Sequence, residues 1–173
     1  ILTAGGSLTD QVTRAQFARM LVSASAYQDA AAGYGASLFK DLKGDHWASG
    51  YVRIAIEQGW MTGYVDGSFR PDQAVTLEEG CAALLKALGY DPTALKGAYP
   101  AAQLSRAGAL GLLDGVSARQ GGALTRQDCV DLFYNLLTAQ TSAGTVYGTT
   151  LGYTITNGQV DYSALVSSHT NGP

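Results

Sequence analysis

A fourteen-residue pattern occurs three times in this chain and limits the fold more than any other feature. Val12 to Ser25 (VTRAQFARMLVSAS), Val75 to Leu88 (VTLEEGCAALLKAL) and Leu124 to Leu137 (LTRQDCVDLFYNLL) align without gaps. Each copy opens with an apolar residue and then Thr (Thr13, Thr76, Thr125), with Gln16, Glu79 or Asp128 three residues later. That is the spacing of a capping box, in which the Thr hydroxyl takes the N–H of the third helical residue and the longer side chain reaches back to the Thr N–H. Asp128 is one methylene shorter than Glu, so the third box is expected to be the weakest. Apolar residues then recur at helical spacing: Phe17, Met20, Leu21 and Ala24; Cys81, Leu84, Leu85 and Leu88; Cys129, Leu132, Phe133 and Leu136. Three equivalent one-sided helices bury those sides most simply against one another, which predicts a mainly α fold with a central three-helix bundle.

A second helix and a loop precede the middle copy. Ala48, Val52, Ala55 and Ile56 form a short helical stripe that Gly59 should end, and Gly63, Asp66-Gly67 and Pro71 are turn formers. The same unit recurs in worn form further on, with Tyr99, Gly111 and Gly115 in the places of Trp47, Gly59 and Gly63. The offset then shortens by three residues before Thr125, so the third loop has lost its Asp-Gly-x-Phe-x-Pro element. Ile1 to Thr13 matches only Tyr64 to Thr76, so the first unit lacks its first helix. The chain divides into a partial first repeat (1–38), a second (39–92), a degenerate third (93–140) and a Thr/Gly/Ser-rich tail (141–173). In the tail, Asn157-Gly158 between β-prone runs is a hairpin signal. A short β-hairpin or extended tail is expected there, leading past Gly172-Pro173 to a further domain. Any secretion leader is expected to have been removed or to lie outside this sequence.

Composition excludes several functions. The net charge of −3 and pI near 5.2 come with no basic run to neutralise phosphates, so nucleic acid is not an expected partner. No stretch reaches the roughly 18 apolar residues of a membrane span. His46 and His169 stand apart with no metal-ligand spacing to Cys81 or Cys129, and Glu78 and Glu79 are adjacent on a helix and do not share a face. No enzyme, metal site or cofactor is expected. Both cysteines fall inside amphipathic patterns and read as buried free thiols.

Phe39-x-Asp41, His46-Trp47-Ala48, Ile56-x-x-Gly59, Gly63-x-x-Asp66-Gly67-x-Phe69-x-Pro71 and the Thr13-Arg14-Ala15-Gln16 tetrad together resemble the S-layer homology (SLH) family. The resemblance covers roughly residues 1–140. It implies a pseudo-threefold helical domain at a bacterial surface, in the wall or S-layer, that binds secondary cell-wall polysaccharide, a polymer often carrying pyruvylated amino sugars. It also implies that the Arg of each tetrad meets the ligand in a groove, which carries over to Arg14 and Arg126. The second tetrad departs from the pattern with Leu77. An Arg at the first helical position gains nothing from the helix dipole, and its fork suits a carboxylate, so ligand contact and a solvated surface are the two readings for each. As exposed first-turn residues, both are expected to affect binding and hardly affect stability. Trp47 reads as a sugar platform or as packing. Asp41, Asp66 and Gly67 read as groups facing sugar hydroxyls or as turn formers. The alternative from another class is a protein–protein assembly module of a surface layer, with self-association through the uncovered first unit.

Overall fold

The computed structural model describes residues 6–31 and 37–161. The expectations resting on Ile1, Tyr162, His169 and Gly172-Pro173 lie outside the described residues. The fold is mainly α, as the periodicity predicts. The three tetrads begin α1 (Arg14–Ser23), α3 (Leu77–Ala87) and α5 (Arg126–Thr138), and the two shorter stripes form α2 (Ser49–Glu57) and α4 (Ala101–Ala109). A single turn, α6 (Tyr147–Thr150), follows, and then the strands β1 (Ile155–Thr156) and β2 (Gln159–Val160). Among the described residues no helix is long and apolar enough to cross a membrane.

Each tetrad caps its helix, but the weak box is not the expected one. Asp128 Oδ2 does reach the Thr125 N–H at 3.1 Å, while Thr125 Oγ1 accepts from Asp128 N at 3.1 Å. The box at α1 is equally complete. At α3 Thr76 Oγ1 accepts from Glu79 N at 3.3 Å, but the Glu79 carboxylate is drawn to Arg14 instead of back to its cap. The expectation of a weak third box is therefore corrected. Competition for the side chain decides the outcome, and side-chain length does not.

Glycine ends α2 as expected. Gly59 sits at φ 76, its N–H meets Ile56 O, and Trp60 N meets Ala55 O. This paired pattern uses carbonyls that a helix end would leave bare, and only Gly adopts the required backbone without strain.

The segments entering α1, α3 and α5 are joined by a closed ring of backbone hydrogen bonds. Val12 N donates to Leu124 O, Leu124 N to Val75 O and Val75 N to Val12 O, each at 2.9 Å. All three residues are fully buried. One residue pair further along, Arg14 N donates to Gln73 O, Leu77 N to Gly122 O and Arg126 N to Asp10 O. First-turn N–H groups have no partner inside their own helix, so these bonds satisfy donors that burial would otherwise strand. Beneath the ring, the Phe17 and Phe133 rings lie 5.5 Å apart. A Cβ on Gly80 would stand 2.8 Å from Leu124 Cδ1 and 3.4 Å from Phe17, so α3 approaches closely because it has no side chain there.

The described part of the tail folds back on the helices. Tyr147 Oη donates to Ala24 O at 2.8 Å, and a Cβ on Gly148 would lie 2.6 Å from Leu137 O at the end of α5. Of the two expectations for this region, the hairpin is found. Ile155 pairs with Val160 across an Asn157-Gly158 turn with φ of 53 and 74 at its two residues. Positive φ at both positions matches the right-handed twist of paired strands.

Candidate functional site

Arg14 is the first residue of α1, and it is buried, only 5% exposed. The expectation of a solvated first-turn Arg is corrected at this position. The backbone explains it. Arg14 N and Ala15 N donate to Gln73 O and Pro71 O, so the helix start is seated against the loop that follows α2. The side chain then has to run under that loop. Its Nε donates to Phe69 O at 2.9 Å, Nη2 to Thr62 O at 2.7 Å and Nη1 to Glu79 Oε2 at 3.2 Å. The guanidinium carbon lies 4.6 Å from the Phe69 ring centre and 5.0 Å from that of Tyr64.

The loop over Arg14 is held by the residues singled out from its sequence. Asp41 accepts from Phe69 N and Arg70 N, both at 2.8 Å, and so ties the loop to the segment before α2. Burial raises the Asp41 pKa, but the N–H groups of Phe69, Arg70 and Asp41 itself outweigh it and hold the carboxyl below its ordinary value. Asp66 accepts from Ser68 N and its hydroxyl, and Gly67 turns the chain at φ 84. These contacts are those of turn formers. Arg70, at the unusual φ of 58, lays its guanidinium 3.6 Å from the Tyr64 ring centre.

Beside Arg14 a groove of about 200 Å³ opens between this loop and α3, lined by Arg14, Trp60, Thr62, Glu79, Lys86 and Tyr99 among others. Glu79, Ala82 and Lys86 share one face of α3 by their spacing. Tyr99 is more than half exposed. Burial first, then the charges of Glu78 and Glu79, raise its pKa, which keeps its hydroxyl a donor. The groove offers the Arg14 guanidinium, already paired to Glu79, with a half-buried ammonium from Lys86 and the phenol of Tyr99, groups able to donate to a polar ligand with acceptor oxygens.

The other candidates lie elsewhere. Arg126 opens α5 half-buried, with its Nη1 only 2.8 Å from where a Cβ on Gly6 would stand. Trp47 is half-exposed, with the Arg19 guanidinium of α1 6.0 Å from its ring, so it is not buried packing. Neither Arg126 nor Trp47 lines the groove beside Arg14. Leu77, at the start of α3, is 4% exposed and packs in the core. The sequence reading missed Glu79, Lys86 and Thr62 as groove residues. Glu79 was accounted for as a cap, and Lys86 stands out only when the face of α3 is plotted together with Tyr99. Among the described residues no cluster of three or more His, Cys, Asp or Glu could hold a metal ion.

Residues 38–79 match the family described as S-layer homology domain. The chain is 30% identical over 146 residues to the Middle cell wall protein of Brevibacillus brevis, covering 84% of this chain and 14% of that protein. It is 30% identical over 107 residues to the Surface layer protein of Brevibacillus choshinensis, 61% of this chain and 10% of that one. It is 37% identical over 71 residues to the Cellulosome-anchoring protein of Acetivibrio thermocellus, 40% of this chain and 16% of that one. The chain thus spans only a small part of the curated relatives it matches. The loop that covers Arg14, the tie from Asp41 and the start of α3 all fall within the matched segment, and at residues 38–79 the chain carries an S-layer homology domain.

Proposed function

We propose that this chain is a non-catalytic anchoring module that holds its protein at the cell surface by binding secondary cell-wall polysaccharide, with an acidic sugar in the groove beside Arg14. Its place is outside the cell, associated with the wall, like its S-layer and cell-surface relatives. The observation that carries the reading is the convergence of Arg14 and Lys86 on one groove in a chain whose net charge is −3. An anionic polymer gains no long-range attraction from such a chain, so binding has to rest on local cations. Arg14 has five N–H groups and three are committed, which fixes the guanidinium plane and leaves two for a ligand. Lys86 is the adaptable partner. A carboxylate such as that of a pyruvyl ketal fits this pair.

The domain is read as three repeats, 1–38, 39–92 and 93–140, in a pseudo-threefold arrangement around a bundle of α1, α3 and α5, with 141–173 as the tail. The hydrogen-bond ring of Val12, Val75 and Leu124 and the Phe17–Phe133 contact support this reading. Alignment of the repeats makes the three helix faces unequal. Where α3 has Ala82 and Lys86, α1 has Arg19 and Ser23, and α5 has Asp131 and Asn135. The α5 face carries no cation at these positions; the α1 face carries Arg19, whose guanidinium lies 6.0 Å from the Trp47 ring, as a second cationic candidate. Sedimentation with purified bacterial walls tests the function. The chain should pellet with intact walls and stay soluble with walls stripped of polysaccharide. Equal pelleting with both would set the reading aside, and self-association without walls would favour the assembly module.

A further inference from the structure

Asn157 and Gly158 are both exposed at the tip of the tail hairpin. Their φ values of 53 and 74 are held by strands of only two residues each, in which Ile155 pairs with Val160 and Thr156 with Gln159. A Cβ on Gly158 would meet nothing within 4 Å, so the space around the turn is open. Among the described residues no group accepts a hydrogen bond from the Gly158 N–H. Below its tip the hairpin is anchored. Val160 is 7% exposed, Ile155 Cδ1 lies 3.3 Å from where a Cβ on Gly148 would stand, and β2 lies against α5. Asn135 in α5 is the opposite case: its Nδ2 donates to Leu112 O at 2.9 Å and to Asp114 O at 2.8 Å, and Leu136 follows it within the helix.

We propose that Asn157 is a site of spontaneous covalent modification, at which the chain attacks its own side chain and one product breaks the hairpin's register. The inference does not rest on the anchoring reading. The Gly158 nitrogen gives up its proton to hydroxide and bonds to Asn157 Cγ. The Cγ–Nδ2 bond breaks, and that nitrogen takes a proton from water and leaves as ammonia, regenerating the hydroxide. One water then opens the five-membered imide. Breaking the bond from Cγ to the Gly158 nitrogen leaves aspartate at position 157. Breaking the bond from the Asn157 carbonyl carbon to the same nitrogen leaves isoaspartate, with the main chain running through Cβ and Cγ. Nothing is oxidised or reduced: one water goes in and one ammonia comes out. Glycine suits the attack because no Cβ crowds its nitrogen. A hairpin of two residue pairs is marginal by itself and opens at small cost, which lets the turn leave its positive-φ geometry and bring Gly158 N to Asn157 Cγ. Both products carry one more negative charge, but their consequences differ. Aspartate tolerates positive φ as asparagine does, so the turn persists. Isoaspartate adds a backbone carbon to a two-residue loop whose length sets the register, so Ile155 and Val160 lose their pairing and Val160 is exposed.

The test ages the full chain in mildly alkaline buffer, folded and in urea. Cleavage before Asp161 separates Asn157 from Asn171-Gly172, the other Asn-Gly pair of the sequence, and mass spectrometry with an isoaspartate-specific assay reads each fragment. In the folded chain Asn157 should lose its amide at a rate within about tenfold of the rate in urea, with isoaspartate among the products. Asn135 should keep its amide in the folded chain. Gly158→Ala should suppress conversion at Asn157 in urea as well, because crowding at the nitrogen does not need the fold. Mildly acidic buffer should suppress it too, since the nitrogen then keeps its proton. In NMR spectra the purified isoaspartate form should lose the cross-strand contacts between Ile155 and Val160, while Asn157→Asp keeps them. An Asn157 amide that survives in the folded chain while the unfolded chain converts, or that survives in both, would overturn the site. An isoaspartate form whose Ile155–Val160 pairing is intact would overturn the loss of register.

Discussion

Removing the Arg14 side chain would leave the carbonyls of Phe69 and Thr62 without their donors and Glu79 without its partner, all around a covered position. Arg14→Ala is therefore expected to lower the unfolding free energy by about 2–4 kcal/mol, measurable by urea denaturation. Arg14→Lys should recover only part, since an ammonium cannot span the three acceptors in one plane. A loss below about 0.5 kcal/mol would mean that the guanidinium is not held as described. The cysteines behave oppositely. Both are free and buried, and burial, with the nearby charges of Glu78 and Asp128 respectively, pushes each thiol up to about 12. Neither should react with a thiol reagent at pH 8 in the native protein, and both should react once it is unfolded. Fast labelling of the folded chain would contradict this.

Capping chemistry decides the elements and gives one of them a pH dependence. Burial raises the pKa of Asp128, but the N–H groups of Thr125 and Ser117, the Thr125 hydroxyl and the Ala118 N–H together hold it below its ordinary value of 3.8. A carboxyl whose pKa falls on folding contributes its full stabilisation above the unfolded value and loses it as pH drops through the folded one. The parent should therefore lose stability below about pH 4, whereas Asp128→Asn should start about 1–2 kcal/mol lower at pH 7 and converge with the parent in acid. Parallel pH curves for the two would refute the role. The helix starts, the Gly59 stop and the Asn157-Gly158 turn were legible in the sequence because each depends on a few neighbouring residues. The fate of Glu79 was not, because its partner Arg14 lies far away in the chain, and neither was α6, whose seat on α5 depends on the small Gly148.

At the scale of the whole molecule, repetition made the mainly helical fold readable, while the uneven tetrads gave only an expectation about the site. Three aligned tetrads pointed to a mainly helical fold, and the loss of Arg at Leu77 pointed to unequal grooves. Exposure was not readable. Arg14 looked solvated because its helix position is, but the loop that buries it is the one after α2, far along the chain. The groove itself joins α1, α3, the loop after α2 and the segment before α4, so no local pattern could reveal that Lys86 and Tyr99 belong with Arg14. Lys86 gives the cleanest test of the central claim, because it is half-exposed on the last turn of α3 and its loss should cost the fold less than about 1 kcal/mol. The decisive measurement is the pelleting isotherm of Lys86→Ala on polysaccharide-bearing walls beside the parent, with both shown to be folded. A drop of about tenfold in affinity is expected for the loss of one charge-assisted contact; coincident isotherms would contradict the claim that the Arg14–Lys86 groove holds the chain to the wall.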